Sequence, residues 1–411
     1  MRTLRALSVT LLLTVAANLA EAAPTGKALP GLEPFDSEIT ALMNRWAVPG
    51  ASLAVSRHGK IVLVRGYGLA NKERDEPVQP LSQFRLGSLT KMITAVAILQ
   101  LVEQGKLALD DKVLPLLGDV GPPAEAIRDP RMRDITVRML LQHAGGWDRD
   151  KSGDPIGMPY IAGVASRQGG PLPPTCIAIL RDSLEQRLDF DPGTRFAYSN
   201  VGYCILGRIV ERVSGMLFDA YVRAHVLEPS GAGRMRLGQT RVLADGEVAY
   251  YDYPGAPPVE AAPGFGVHIV AGPYGALPLE PMDAYGSRIG AAVDYLKFML
   301  AIDGQRSPAL LTAASVREMR RRPAHAAGPT FYGLGTMVRP VDGGDNWWHD
   351  GSQPGMEAFA VRTAGGFGWV AAFNMRPKDR NGFVGDLDRT LWRAALAVSR
   401  WPDGDLFDEF R

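Results

Sequence analysis

Cysteine is scarce in this sequence, which has 411 residues and only two cysteines, Cys176 and Cys204. Two thiolates without histidines at a suitable spacing cannot hold a zinc ion, so a cysteine-ligated zinc site is excluded. The even number allows one disulfide in an oxidising compartment, and two buried thiols are the alternative.

An excess of charge of either sign is also lacking. Forty-five lysines and arginines face 44 aspartates and glutamates, which leaves a net charge of +1. This balance gives no reason to expect a nucleic acid or an anionic membrane as a partner. The hydrophobic fraction of 46% and the charged fraction of 22% are those of an ordinary soluble protein that buries a large core.

Long hydrophobic runs are lacking too, apart from one short run at the N-terminus. Arg2 and Arg5 precede an apolar stretch over residues 7–17, which is too short to span a membrane. An Ala-Glu-Ala sequence then ends at residue 22, as in a secretory signal peptide. We therefore predict that residues 1–22 are a signal peptide and that residues 23–411 form a single module. The mature protein is expected to be periplasmic or secreted, without a membrane anchor.

The segment that contains Ser88 and Lys91 is the strongest candidate for chemistry. Gly87 permits a sharp turn, and the apolar run of residues 92–102 predicts a buried helix that ends before Gly105. Lys91 follows Ser88 by one helical turn on the same face. Apolar surroundings would lower the pKa of this lysine, and a neutral amine beside a hydroxyl is a base–nucleophile pair. The spacing alone fits a helix cap followed by an exposed lysine equally well.

A second candidate segment contains Tyr198 and Asn200. A tyrosine near a lysine can lose its proton more easily than its usual pKa of about 10 allows, and it could then shuttle a proton. Asn200 offers both a donor and an acceptor to a substrate amide. Taken alone, the pair also fits a loop tyrosine followed by a turn asparagine.

The third candidate segment runs from His349 through Asp350 and Gly351 to Ser352. A glycine at the end of a strand lets a substrate approach the backbone closely. A His-Ala-Gly sequence at His143 has the same outline. The position of His349 among the C-terminal strands favours the later histidine.

The hydrophobic patterns predict strands near both ends of the chain and helices between them. We therefore predict an α+β fold in which an antiparallel sheet from the N- and C-terminal segments is flanked by helices, with an inserted, mainly helical lobe. The sheet lobe would comprise about residues 35–105 and 290–411, and the helical lobe about residues 106–289. Residues 148–174 are predicted to be a long loop, and a site is expected between the lobes.

Three motifs in this order resemble those of the serine β-lactamase and penicillin-binding-protein superfamily: Ser88-x-x-Lys91, Tyr198-x-Asn200 and His349-x-Gly351. The sequence is most similar to the class C β-lactamase-like branch, which also includes esterases and D-amino-acid peptidases. The resemblance covers about residues 35–398.

This resemblance implies a serine hydrolase that works through an acyl-enzyme. Ser88 would be the nucleophile, Lys91 its general base or the electrostatic support of that base, and Tyr198 a second proton-transfer group. Asn200 would align the substrate, and the backbone N–H groups of Ser88 and Ser352 would form an oxyanion hole. The resemblance calls for no metal and no cofactor.

Two departures from the superfamily pattern affect the expected substrate. His349 stands where true β-lactamases have a lysine, and esterase-like members often share this change. Asp350 replaces a hydroxyl residue that meets the substrate carboxylate in lactamases and peptidases. A carboxylate would repel an anionic substrate unless it is paired with a cation. A neutral ester or small amide is therefore the expected substrate.

Other functions stay open at this point. A D-alanyl-D-alanine carboxypeptidase or a β-lactamase would use the same residues. An inactive protein that binds peptidoglycan fragments belongs to a different class, and a transferase would pass the acyl group to an alcohol or amine. The motifs leave open the acyl group, the leaving group and the oligomeric state.

Overall fold

The computed structural model describes residues 23–410, and the predicted signal peptide, residues 1–22, lies outside the described residues. The strands are β1 Thr25–Ala28, β2 Gly50–Arg57, β3 Lys60–Asn71, β4 Glu76–Pro77, β5 Phe84–Arg85, β6 Arg236–Leu237, β7 Val259–Glu260, β8 Ile269–Val270, β9 Arg288–Gly290, β10 Phe331–Tyr332, β11 Met337–Val341, β12 Gly344–Gln353, β13 Met356–Arg362 and β14 Phe367–Phe373. The α-helices are α1 Glu33–Trp46, α2 Thr90–Glu103, α3 Val113–Leu117, α4 Val137–Leu141, α5 Tyr160–Gln168, α6 Cys176–Leu184, α7 Asn200–Ser214, α8 Phe218–Val222, α9 Ala292–Ile302, α10 Ala313–Met319 and α11 Arg380–Ala397.

The main sheet joins the two ends of the described chain. Its strand order is β1-β3-β2-β14-β13-β12-β11-β10, with β4 paired to β3, and the neighbouring strands are antiparallel. The N-terminal strands meet the C-terminal ones where β2 pairs with β14, with Ala51 opposite Phe373. The predicted α+β fold with an antiparallel sheet is therefore confirmed. The boundaries proposed for the two lobes stay a prediction.

Helices cover both faces of this sheet, as the alternation of side chains along β2 illustrates. Leu53 and Val55 belong to an apolar cluster with residues of α1 and α11. Ala54 points to the other face and belongs to the cluster that contains α2 and α9. Successive residues of a strand point to opposite faces, so one short strand contributes to both clusters.

Helix α2 is buried on nearly all sides, as its apolar sequence predicts. Eleven of its fourteen residues are buried, including Lys91 in the first turn. The chain turns at Gly105, whose φ is +67°, and this conformation favours glycine. The helix thus carries its N-terminal residues into the centre of the molecule.

The prediction that residues 148–174 form one long loop is wrong in part. Helix α5 interrupts this stretch, and it buries Ile161 and Val164, which lie three residues apart on one face. Its contact with α6 supplies the apolar surface that the short segment needs in order to be helical. Across residues 23–410, no helix combines the length and apolar character needed to cross a bilayer.

The two cysteines form a disulfide, which decides between the alternatives left by the sequence. Cys176 and Cys204 are bonded, with a distance of 5.9 Å between their Cα atoms. Cys176 begins α6 and Cys204 lies in the second turn of α7. The bond therefore fixes the end of α7 that begins at Asn200.

Replacing both cysteines, as Cys176→Ser with Cys204→Ser, should lower the free energy of unfolding by about 2–4 kcal/mol. The bond restricts the unfolded chain, and its loss restores that conformational freedom. Urea denaturation measured with and without a reductant tests this. The reductant should lower the midpoint of the wild type and leave that of the double variant unchanged. Equal midpoints for the wild type and the double variant in the absence of the reductant would contradict the prediction.

Candidate functional site

Ser88 lies at the junction between β5 and α2. Strand β5 pairs with β9, and the chain then turns at Gly87, whose φ is +52°. A single 3-10 turn over Gly87–Leu89 leads directly into α2. Ser88 is half-buried, while its neighbours on both sides are buried. The sharp turn therefore presents one hydroxyl at the mouth of an otherwise buried helix.

Lys91 is fully buried beside Ser88. Its Nζ lies 3.0 Å from the Ser88 Oγ and donates to the Tyr285 carbonyl oxygen at 2.9 Å. The same Nζ lies 4.9 Å from the centroid of the Tyr198 ring. Burial lowers the pKa of Lys91 well below its ordinary value, in the direction that the sequence predicts. A buried amine of this kind can be neutral near physiological pH and can accept a proton.

Tyr198 also contacts Ser88, but its titration differs from the prediction. Its hydroxyl is hydrogen-bonded with the Ser88 side chain. Burial raises the pKa of Tyr198 above its ordinary value, and the hydrogen bond with Ser88 only partly opposes this. The expectation that a nearby lysine lowers this pKa is wrong, because desolvation of the phenolate outweighs it. The tyrosine is a protonated hydroxyl in the resting site.

Asn200 is the first residue of α7, two residues after Tyr198. Ser199 caps this helix, since its Oγ accepts a hydrogen bond from the Gly202 N–H. The Nδ2 of Asn200 donates to Asp154 at 2.6 Å. Asp154 comes from the stretch predicted to be a loop, and the sequence offered no signal for this contact. The side-chain oxygen of Asn200 is the group left to meet a ligand.

His143, which the sequence pattern favours less than His349, packs against the Tyr198 ring. The two ring centroids are 4.2 Å apart, and the Ser199 N–H donates to the Nδ1 of His143 at 3.1 Å. The ring is buried, and desolvation lowers the pKa of His143 well below its ordinary value. A neutral His143 therefore holds the Tyr198-Ser199 segment in position. The His-x-Gly sequence that His143 shares with His349 was the one feature of the sequence that pointed to this position.

His349 is buried next to Tyr332, whose ring also contacts His143, and is held at both ring nitrogens. Its Nδ1 lies 2.6 Å from the Asp350 carbonyl oxygen and its Nε2 lies 2.9 Å from the Tyr332 hydroxyl. A carbonyl oxygen can only accept, so Nδ1 carries the hydrogen and Nε2 accepts from Tyr332. Burial lowers the pKa of His349 to about 4. The ring is therefore neutral at pH 7.

Gly351 brings β12 against the turn that carries Ser88. A Cβ atom built on Gly351 would lie 2.1 Å from the Leu86 carbonyl oxygen and 3.2 Å from the Ser88 nitrogen. A Cβ on Gly87 would likewise lie 3.1 Å from the Ser352 nitrogen. Only two glycines in these positions allow so close an approach of two backbones. The N–H groups of Ser88 and Ser352 are consequently neighbours, as an oxyanion hole requires.

The negative charge of Asp350 is compensated, which changes the inference about the substrate. Arg380, in the first turn of α11, forms an ion pair with Asp350 and a second one with Glu357 at 3.0 Å. Burial raises the pKa of Glu357 to about 8, against the opposing effect of Arg380. Asp350 is therefore a carboxylate paired with a cation, the case in which no repulsion of an anionic substrate is expected. The charge of Asp350 thus gives no reason to favour a neutral substrate over an anionic one.

These residues line one cavity of about 550 Å³, which we call the serine cavity. Its polar lining includes Ser88, Tyr198, Asn200, His349 and Ser352. Phe196, Leu277, Met282 and Met337 form apolar parts of its wall. Five of the seven site residues predicted from the sequence thus line one cavity, with Lys91 and Gly351 directly behind it. Among residues 23–410, no cluster of three or more His, Cys, Asp and Glu side chains could bind a metal ion.

The comparisons with known proteins agree with this fold and arrangement. A sequence model of the Beta-lactamase family matches residues 35–389. Penicillin-binding protein 4 of Amycolatopsis lactamdurans is 30% identical over 389 residues, which cover 90% of this chain and 93% of that protein. The chain therefore belongs to the Beta-lactamase family.

Two further similarities differ in their coverage. A probable fimbrial assembly protein FimD of Dichelobacter nodosus is 38% identical over 146 residues, or 36% of this chain, and the chain spans only 33% of its length. The D-amino acid amidase of Ochrobactrum anthropi SV3 has the same fold, with a TM-score of 0.67 and 22% identity. That match covers 89% of this chain and 98% of the amidase chain.

Substituting Gly351→Ala should lower the free energy of unfolding by about 1–3 kcal/mol. The added methyl group would overlap the Leu86 carbonyl, which is backbone and cannot rotate away. Gly365→Ala is the matched control, because its new Cβ would have no neighbour closer than 3.9 Å. Urea denaturation should show a change within about 0.5 kcal/mol for that control. Equal stability of Gly351→Ala and the wild type would contradict the close approach.

Proposed function

We propose that the protein is an exported serine hydrolase that cleaves an ester or a small amide through an acyl-enzyme on Ser88. The observation that carries this proposal is the contact of 3.0 Å between the Lys91 Nζ and the Ser88 Oγ. A half-buried serine hydroxyl is activated as a nucleophile when a buried lysine with a lowered pKa lies beside it. Membership of the Beta-lactamase family supports the same reaction class.

In the first step the neutral Lys91 amine takes the proton of the Ser88 hydroxyl. The Ser88 oxygen forms a bond to the substrate carbonyl carbon, and the carbonyl oxygen becomes an oxyanion. The N–H groups of Ser88 and Ser352 stabilise this charge, each contributing about 3 kcal/mol. The Tyr285 carbonyl accepts a hydrogen bond from Lys91 and holds the amine in place throughout.

Collapse of the tetrahedral intermediate breaks the bond between the carbonyl carbon and the leaving group. The proton that Ser88 lost reaches the leaving oxygen or nitrogen through Lys91 and the Tyr198 hydroxyl, which donates it. The high pKa of Tyr198 suits this role, because the tyrosine is protonated when the leaving group needs a proton. Water then attacks the Ser88 ester, and the reverse proton transfers release the acid and free serine.

Two features support export of this enzyme. Residues 1–22 have the sequence pattern of a signal peptide, with cleavage expected between residues 22 and 23. The disulfide between Cys176 and Cys204 is of the kind that persists in an oxidising compartment. The site of action would then be the periplasm or the extracellular space.

A D-alanyl-D-alanine carboxypeptidase or a β-lactamase is the second candidate function. The observation in its favour is the ion pair of Asp350 with Arg380, which removes the expected repulsion of a substrate carboxylate. The 30% identity to a penicillin-binding protein over most of both chains also supports it.

A fluorophosphonate should add its phosphonyl group to Ser88 of the mature protein, as detected by intact mass. The phosphonyl group mimics the tetrahedral intermediate, so labelling requires an activated serine. Ser88→Ala should show no adduct, and Ser352→Ala, which keeps the backbone N–H of residue 352, should still be labelled.

Penicillin, used as a second probe in the same assay, separates the two candidate functions. A stable or slowly released penicilloyl adduct on Ser88 would favour the second candidate. A folded wild-type protein that forms no adduct with either probe would count against both enzymatic functions and favour a binding protein.

The value of kcat/KM for an ester should fall as the pH is lowered through the pKa of Lys91, which burial places well below the ordinary value for a lysine. Below its pKa Lys91 is an ammonium and cannot accept the Ser88 proton, whereas above its pKa the amine is free to do so. Lys91→Met should lower kcat by about 10²–10⁴-fold, the usual contribution of a general base.

Lys106→Met is the control for this experiment, since Lys106 is exposed just beyond the end of α2. It removes one lysine from the same segment and should keep both the rate and the pH profile of the wild type. Retention of the wild-type rate and profile by Lys91→Met would rule out the assigned base.

A further inference from the structure

A second cavity adjoins the serine cavity on the side of Tyr198 and Asn200. It has a volume of about 520 Å³, and both side chains line it as well. Arg149 and Asp154 also belong to the walls of both cavities. These four shared residues form the partition between the two spaces. We call this second space the outer cavity.

Positive charge dominates the outer cavity. Its lining contains four arginines, Arg128, Arg149, Arg167 and Arg187. Within residues 23–410, only Arg167 of these four forms an ion pair, through two hydrogen bonds of 2.6 and 2.9 Å to Asp182. In the part of the chain that the structure describes, the other three guanidinium groups have no carboxylate oxygen within 4 Å. An excess of positive charge therefore faces this cavity.

Asp154, the second acid in the lining, can offset at most one of the three unpaired guanidinium charges. Its carboxylate accepts the hydrogen bond from Asn200 and is held in the partition. Burial raises its pKa, which disfavours the charged form. Arg149 lies over the Tyr198 ring, with its Cζ 4.6 Å from the ring centroid, and marks the border with the serine cavity. Arg128 and Arg187 lie on the outer side of that border.

The outer cavity also has surfaces that suit the carbon skeleton of an organic ligand. Trp147 and Tyr160 contribute aromatic rings to its lining, and Pro155 adds an apolar patch. The indole N–H of Trp147 donates to the Ser183 carbonyl, which fixes that ring. A guanidinium group binds a carboxylate through two parallel hydrogen bonds, and aromatic walls bind the apolar chain that carries it.

We propose that the outer cavity binds a carboxylate group of the substrate, so that esters carrying a second, anionic end are hydrolysed in preference to neutral ones. This inference rests on the proposed function, because it describes the substrate of the Ser88 site. The carboxylate sits between Arg128 and Arg187, and the linking chain passes Tyr198 and Asn200 to reach Ser88. Because Arg380 compensates the charge of Asp350, this carboxylate does not oppose such a substrate in the serine cavity.

Matched pairs of substrates test this preference. One series consists of p-nitrophenyl monoesters of straight-chain dicarboxylic acids, each compared with the diester in which the free carboxyl group is methylated. This pair places the charge on the acyl side. The second series consists of butyrate esters of 4-hydroxyphenylacetic acid and of its methyl ester, which place the charge on the leaving group.

For each pair the measured quantity is the ratio of kcat/KM for the anionic substrate to that for its neutral partner. In at least one series the ratio should exceed one for the wild type, and Arg128→Ala with Arg187→Ala should lower it by about 10- to 100-fold. This range corresponds to a charge-assisted hydrogen bond. The variant with Arg128→Lys and Arg187→Lys keeps the positive charges but lacks the planar guanidinium groups. Its ratio should lie between those of the wild type and the double alanine variant. Arg317→Ala, which removes an exposed arginine of α10 outside both cavities, should keep the wild-type ratio.

A ratio of one or less in both series, or a ratio unchanged in the double alanine variant, would overturn the proposal. Failure of the proposed function is distinguishable, because wild-type protein would then hydrolyse neither member of a pair. In that event thermal unfolding of Ser88→Ala with the same compounds decides the question. Stabilisation by the anionic compound alone, lost with Arg128→Ala and Arg187→Ala, would support the outer cavity, and the absence of any shift would refute it.

Discussion

The desolvation of one lysine is the constraint on which the rest of the site depends. Lys91 is buried in the first turn of a helix that is itself enclosed on nearly all sides. Its amine contacts the Ser88 hydroxyl, the Tyr285 carbonyl and the face of the Tyr198 ring. An exposed lysine would be an ammonium with no capacity to accept a proton. In the proposed mechanism, the large core that encloses α2 therefore serves the chemistry as well as the stability.

The sheet supplies the second half of the site from the far end of the sequence. Strand β12 brings Gly351 and Ser352 against the turn at Gly87, where side chains would prevent the approach. A residue near position 90 and one near position 350 can meet in this way because N- and C-terminal strands pair in the middle of one sheet.

The sequence allowed prediction of those parts of the site that depend on local pattern. The apolar run after Ser88 predicted a buried helix and the direction of the Lys91 pKa shift, and the fold class followed from strands at both ends. Contacts between distant segments were not predictable, such as Arg380 with Asp350. The predicted lowering of the Tyr198 pKa was wrong, because a motif indicates which residues are neighbours but not how deeply a side chain is buried. Predicting the direction of a pKa shift requires knowledge of how the side chain is packed as well as of the motif.

The two buried histidines give the site a dependence on acidity of its own. His143 and His349 are neutral in the folded protein, and each ring uses an unprotonated nitrogen to accept a hydrogen bond, from the Ser199 N–H and the Tyr332 hydroxyl respectively. In the unfolded chain both imidazoles take up a proton below about pH 6.5, whereas burial keeps the folded ones from doing so. Proton uptake thus favours unfolding, and stability is lost as the pH falls below that value. The two histidines that support the Ser88 site, which both pack against Tyr332, therefore make the fold around it sensitive to acid.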